Sequence, residues 1–340
     1  MTTYQPAYPE AGADSATARR VHVVHSPIDQ TFRLVARSGG TVVLLVMGLV
    51  GGFLTVNALK AIRSVGVFDF VTTQKWSPET NNFGIAAMLT GTTVIALVAL
   101  VMALPLSIGA SLFITEIATG RLRTVMTSTI DLMAAVPSVV YGLWGLAFLQ
   151  VHVVPFSEWL ATYFGWVPIF HVDGRDPANP LPNTALYTSS FFIAGMIVAM
   201  MIVPTMTSMM REAFSRAPQG EREGAYALGA TKWGMIRKVV FPFGRGGMIG
   251  GTMLGLGRAL GETIAVYLVL SPVFSIKSDI LSNGGDSIAM TIALRYGEAN
   301  DFTMSALMAA GLSLFILTMI INFTASSIIA RSRSGADSEG

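Results

Sequence analysis

Six runs of apolar residues, at about 41–59, 84–115, 125–150, 187–210, 246–270 and 303–330, decide what this chain can become. At 1.5 Å of rise per residue, about 20 such residues in a helix bridge a hydrocarbon core of about 30 Å. That core holds no water, so every backbone N–H and C=O must be paired within the protein, and helices achieve this run by run. With 52% hydrophobic and only 12% charged residues, and a mean hydropathy of +0.59, the chain is too apolar for a soluble globular domain. The expected fold is all-α: a polytopic membrane domain of six transmembrane helices over residues 41–330, with tails at 1–40 and 331–340.

Residues 1–40 are polar, and Arg19, Arg20, Arg33 and Arg37 precede the first apolar run without the pattern of a cleaved signal peptide. They read as a partly disordered cytoplasmic tail. If the N-terminus lies inside, most of the 22 Lys and Arg fall on cytoplasmic segments, among them Arg121, Arg123, Arg211, Arg216, Arg222, Lys232, Arg237, Lys238, Arg245, Arg331 and Arg333. The opposite loops hold Lys60, Arg63, Lys75, Arg175, Lys277 and Arg295, so the positive-inside rule favours both termini in the cytoplasm, with Lys60 and Arg63 a mild exception. The outer loops, 151–186 and 271–302, carry turn chemistry such as Asp173-Gly174-Arg175-Asp176-Pro177 and Asn283-Gly284-Gly285-Asp286, and are expected to connect helices rather than build a domain. Pro105, Pro137 and Pro204 are expected to bend or end the second, third and fourth spans.

The longest cytoplasmic connection, 211–245, has a local grammar of its own. Pro218 suits a first helical turn, Glu221 and Glu223 complement the positive end of a helix, and Gly229 can close it in a left-handed conformation. Thr231 can cap a second short helix through Trp233 and Ile236, which Pro242 stops. Gly224 and Ala225 keep the surface small, as suits an element that enters a groove on another protein. Glu223-Gly224-Ala225, then Gly229, then Val239-Val240-Phe241-Pro242 resembles the cytoplasmic signature of bacterial ABC importer permeases, with Gly224, Val239 and Phe241 as departures. The resemblance implies that Glu223, Ala225, Gly229 and Pro242 belong to coupling helices that dock on a partner ATPase. The chain has no ATP site of its own: Gly224 to Thr231 has the glycine spacing of a phosphate loop but Ala230 where lysine is needed, and Gly255, Gly257 and Gly261 have the wrong spacing for a dinucleotide site.

Arg258 stands in the middle of the fifth run, Gly246 to Leu270, where a charge costs at least about 2.5 to 3.5 kcal/mol. Glu262 follows one turn later, and on a 3.6-residue helix the two share a face with Gly247, Gly251 and Gly255, whose spacing lets helix backbones approach closely. Two readings are open. The pair can neutralise itself and lock two helices together. Alternatively, Arg258 offers its donors to an anion crossing the membrane while Glu262 holds the guanidinium and keeps binding weak enough for release.

The block Gly257-Arg258-Ala259-Leu260-Gly261-Glu262-Thr263, with Ala135-Val136-Pro137-Ser138-Val139-Val140-Tyr141-Gly142-Leu143-Trp144-Gly145, resembles the permeases of bacterial phosphate importers, the PstC and PstA pair. The similarity runs from about Asn82 to Ala330 and is nearer PstC. It implies the type I ABC importer permease fold in the bacterial plasma membrane, and pathway roles for Arg258 and Glu262. Thr263 closes the same block. Ser138 and Tyr141 can face the path beside the bend at Pro137, or bond only to their own backbone. The resemblance also implies a second, PstA-like permease, two PstB-like ATPase subunits that carry ATP and Mg, and an external PstS-like phosphate-binding protein. It implies no enzyme activity and no cofactor for this chain. A permease for sulfate or molybdate, a passive anion channel and a signalling subunit are the alternatives.

Other residues speak more weakly. Glu116 and Asp131 suit interfacial or capping positions, and Trp76, Trp159 and Trp166 the outer membrane boundary. The absence of cysteine excludes disulfides and thiolate metal sites, and His152 and His171 have no clustered partner, so no metal site is expected.

Overall fold

The computed structural model describes residues 27–174 and 183–333. Arg19 and Arg20, and the turn residues Arg175, Asp176 and Pro177, lie outside the described residues. The chain divides into two compact units, Met1–Val50 and Gly51–Gly340. The described part of the first belongs to helix α1 (Pro27–Val65), which begins well ahead of the expected residue 41 and carries Arg33 and Arg37. Its apolar side chains, such as Leu44 and Leu49, are exposed.

In the second unit, α1 is followed by α2 (Val67–Thr72) and a short antiparallel hairpin, β1 (Trp76–Ser77) with β2 (Asn82–Phe83). Trp76 is not a boundary anchor: it is buried edge-on against Phe83, which also meets Phe70 and Phe302. Two long apolar helices then form the centre, α3 (Ala86–Leu112) and α7 (Phe191–Ser215), packed along their lengths through Ile95, Ala99, Val198 and Ile202. Ser190 caps α7, accepting the Ile193 N–H at 3.4 Å. Pro105 and Pro204 both lie inside continuous helices.

Between them run α4 (Gly120–Ala134), α5 (Ser138–Trp144) and α6 (Gln150–Phe164). Here the expected third span, 125–150, is corrected. The helix ends at Ala134, and Pro137, which lacks an N–H and disfavours a helical residue before it, opens α5 instead. The stretch long and apolar enough to cross a membrane is Ser138–Phe164, and part of the expected outer loop 151–186 is therefore helix. After α7 come α8 (Gln219–Ala227), α9 (Lys232–Met235), α10 (Phe241–Leu260) and α11 (Ile264–Val269), then α12 (Ile288–Arg295) within the second expected loop, and α13 (Asp301–Arg333). The Asn300 side chain starts α13, accepting the Thr303 N–H at 2.8 Å.

Among the described residues, five helices are long and apolar enough to cross a membrane: Gln30–Val65, Ala86–Ile117, Ser138–Phe164, Phe191–Ser215 and Asp301–Thr324. The expected fifth span, 246–270, is broken: α10 ends at Leu260, and Gly261, Glu262 and Thr263 separate it from α11. Within the second unit α7 is the axis, 72% of its span buried against 28% for the spans of α3, α5 with α6, and α13.

Three single π-helical turns interrupt these helices, at Phe113–Ile117, Gly145–Leu149 and Ile236–Val240. The last explains a second correction. Pro242 does not stop the helix that follows Thr231; it occupies the first turn of α10, and the wide π turn before it absorbs the missing N–H.

Candidate functional site

The glycine spacing of α10 works as expected. A Cβ on Gly255 would lie 2.6 Å from Met206, one on Gly251 would lie 3.3 Å from Met209, and one on Gly247 would collide with Ala213. α10 therefore presses its glycine face directly on α7. One turn beyond Gly255, that contact delivers Arg258 to α7, where Arg258 Nη1 donates to Thr205 Oγ1 at 3.2 Å.

The expected Arg258 and Glu262 pair does not form: no ion pair joins them among the described residues. The reason is the break. With α10 ended at Leu260, Glu262 no longer stands one helical turn above Arg258. Its carboxylate, 8% exposed, instead accepts the Ala265 N–H at 3.2 Å, satisfying an orphan donor at the start of α11. Thr263 serves the same break, donating to the Gly261 carbonyl at 3.1 Å.

The second break faces the first. A Cβ on Gly142 would lie 2.8 Å from the Ala265 Cα, so α5 lies directly on the first turn of α11. Next to Gly142, the Tyr141 hydroxyl donates across its own break to the Met133 carbonyl of α4 at 3.0 Å. Ser138, half-buried, opens α5 at this break. Thus each of the two sequence blocks singled out above contains a break between helices, and Gly142 brings α5 of one break onto α11 of the other. A guanidinium has five N–H donors. Only one of these makes a protein hydrogen bond among the described residues, so the rest are available to a planar or tetrahedral oxyanion.

Sequence reasoning missed Thr205, hidden in an apolar run; its only local signal is the neighbouring Pro204. It also missed a polar cluster two turns along α7: Ser208 Oγ donates to Asp131 at 2.7 Å, and Arg211 lies 3.5 Å from the same carboxylate.

The segment 211–245 is built largely as the sequence suggests. Pro218 caps α8, and Gly229 has φ of 81°, a left-handed conformation that favours glycine. Thr231 Oγ1 accepts the Gly234 N–H at 3.2 Å to cap α9. Glu223 is exposed and accepts from Gln219 at 2.8 Å, Ala225 turns toward the core, and Tyr226, Leu228 and Trp233 stand exposed around the turn. Glu116 is more than a cap: it is ion-paired with Arg222 at 2.9 Å.

An all-helical membrane protein with discontinuous helices around a central cation has the build of a transporter subunit. Residues 104–334 match the family model described as "Binding-protein-dependent transport system inner membrane component". The chain is 35% identical over 344 residues to the "Phosphate transport system permease protein PstC" of Mesorhizobium japonicum, covering 99% of this chain and 100% of the relative. It is likewise 35% identical over 302 residues to the protein of that name from Pasteurella multocida, covering 87% and 90%. Its fold is shared with a bacterial ABC transporter involved in the import of the acidic polysaccharide alginate, at a TM-score of 0.56 and 18% identity, covering 89% of this chain and 97% of that one. The chain belongs to the multi-pass inner-membrane components of binding-protein-dependent transport systems, in the PstC family of permeases. Such a subunit is the membrane component of the transporter and not its ATPase.

Proposed function

We propose that this chain forms half of the translocation path of an ATP-driven importer of inorganic phosphate. The observation that supports it is Arg258: a cation with no carboxylate partner among the described residues, held by Thr205 where two broken helices meet. Phosphate is a tetrahedral oxyanion that a guanidinium fork can bind through two oxygens. The name shared by the relatives from Mesorhizobium and Pasteurella favours phosphate over other oxyanions.

In this reading a PstA-like permease completes the path, and two PstB-like ATPases carry ATP and Mg and dock on α8 and α9. A PstS-like protein delivers phosphate from outside. Both termini and the α8 to α9 segment are cytoplasmic, because most of the 22 Lys and Arg fall on that side. Closure of the ATPases pushes α8 and α9, and the breaks at 135–137 and 261–263 let the half-helices tilt, exposing Arg258 to one side and then the other. Ser138, Tyr141 and Thr263 line the turning point, and Glu262 keeps the α11 end in register.

The test is uptake by vesicles that contain the complete complex. Phosphate accumulation that requires ATP on the ATPase side, and that excess sulfate or molybdate does not suppress, is the expected result. Downhill flux without ATP would make the chain part of a channel, and preferential sulfate or molybdate accumulation would reassign the substrate.

A further inference from the structure

The matched coupling motif explains how α8 can meet an ATPase, but not how its movement reaches the pathway. Its own residues are poorly anchored: α8 has no buried residue, and the Glu223 hydrogen bond to Gln219 stays within the helix. Arg222, the residue before the motif, is different. Its Nη1 donates to both carboxylate oxygens of Glu116, at 2.9 and 3.1 Å. Its Nε donates to the Ala217 carbonyl at 3.2 Å, and its Nη2 to the Phe214 carbonyl at 2.7 Å.

These acceptors belong to two other elements. Glu116 sits in the π turn that ends the α3 span, with its side chain only 4% exposed. Phe214 lies in the last turn of α7 and Ala217 just past it, and the Phe214 carbonyl also accepts the Ala217 N–H at 3.2 Å. Among the described residues, Arg222 makes the only hydrogen bonds from an α8 side chain to other elements. One guanidinium therefore joins α8, α3 and α7 by four charge-assisted hydrogen bonds, nearly out of water. A planar group with a fixed fork resists both shear and rotation, which a single point charge does not. α3 and α7 are themselves packed along their whole lengths, and α7 carries Thr205, the partner of Arg258.

We infer that Arg222 and Glu116 form the transmission clamp of this subunit: Arg222 is a positioning residue that makes α8 move as one body with α3 and α7, so that ATPase closure tilts α7, whose Thr205 is the hydrogen-bond partner of Arg258 on α10. This rests on the reading of α8 as the ATPase dock. The clamp is separate from the docking surface, because Arg222 points inward while Leu228 and Trp233 stand exposed.

Removing one partner strands a buried charge and can unfold the region, so the decisive variant removes both charges, Glu116→Gln together with Arg222→Gln. The assembled complex in vesicles is assayed for ATPase copurification, ATP hydrolysis and phosphate taken up per ATP hydrolysed. The account expects copurification unchanged and phosphate per ATP lowered roughly tenfold, within the range of measured coupling between distant sites. A ratio equal to the parent's would overturn the clamp, and so would loss of copurification, which would make the pair part of the dock. Leu228→Asp tests the underlying reading separately: it should abolish copurification, and if the ATPase still copurifies with it, the α8 dock is wrong.

Discussion

Two of the arginine and glutamate couples among the described residues are built in opposite ways. Arg258 and Glu262 are four residues apart, yet the helix stops between them and each finds a different partner. Arg222 and Glu116 are 106 residues apart and join in a bridge that uses both carboxylate oxygens. The difference teaches that nearness in sequence pairs charges only where the helix is continuous. A closed couple fixes a structure, whereas a cation left without its carboxylate keeps donors for something that passes. The same two residue types thus form a closed bridge in one place and leave a cation without a carboxylate partner, among the described residues, in the other.

The comparison can be broken most forcefully at the closed couple. Arg222→Ala leaves the Glu116 carboxylate buried and unpaired, and should lower stability by about 3 to 5 kcal/mol. The double neutral variant should lose less than half of that, measured by thermal unfolding of the purified chain in detergent. If both variants lose equally little, the bridge is not the tight structural couple its geometry implies.

A third carboxylate sharpens the contrast, because it is buried with hydrogen bonds but without a direct cation. Asp286, at the start of α12, accepts from Thr291 at 2.6 Å and from the Ser287 N–H at 2.7 Å. Burial pushes its carboxyl from 3.8 up to about 6, although those hydrogen bonds and the Arg295 charge pull the other way. Between these values the unfolded chain has released its proton while the folded chain still holds it. Stability from this group is therefore full below about pH 4 and lost as pH rises through about 6, by up to about 3 kcal/mol. Asp286→Asn should remove that slope from unfolding measured across pH 4 to 7; a slope that persists would place its origin elsewhere.

The smallest expected effect is at the open site. Thr205→Val deletes the one protein hydrogen bond that Arg258 makes among the described residues and should slow phosphate uptake roughly fivefold, the equivalent of about 1 kcal/mol, with assembly unchanged. An unchanged rate would mean that Thr205 does not orient the guanidinium.

Much of the architecture was legible because it is written in local chemistry. Apolar length announced the spans, the Gly247, Gly251 and Gly255 spacing announced a close helix contact for α10, and Gly229 and Thr231 announced the turn and cap between α8 and α9. The breaks were less legible, since an apolar run reads the same whether or not its helix is interrupted. Pro137 did signal the first break, but Gly261, Glu262 and Thr263 lie in a run whose hydropathy hides the second. Trp76 showed only its size, and burial against Phe83 was decided by a hairpin too short for a sequence signal. Contacts such as Arg258 to Thr205 and Arg222 to Glu116 depend on which helices become neighbours, and no local pattern specifies that.

The central claim is that Arg258 is an unpaired cation kept for a passing anion, and Arg258→Ala in the complete vesicle complex tests it most directly. The account predicts that the complex assembles with parental thermal stability and that ATP-driven phosphate accumulation falls by at least about 100-fold, as losing about 3 kcal/mol of charge-assisted hydrogen bonding implies. Loss of assembly or stability, or uptake that survives, would contradict it.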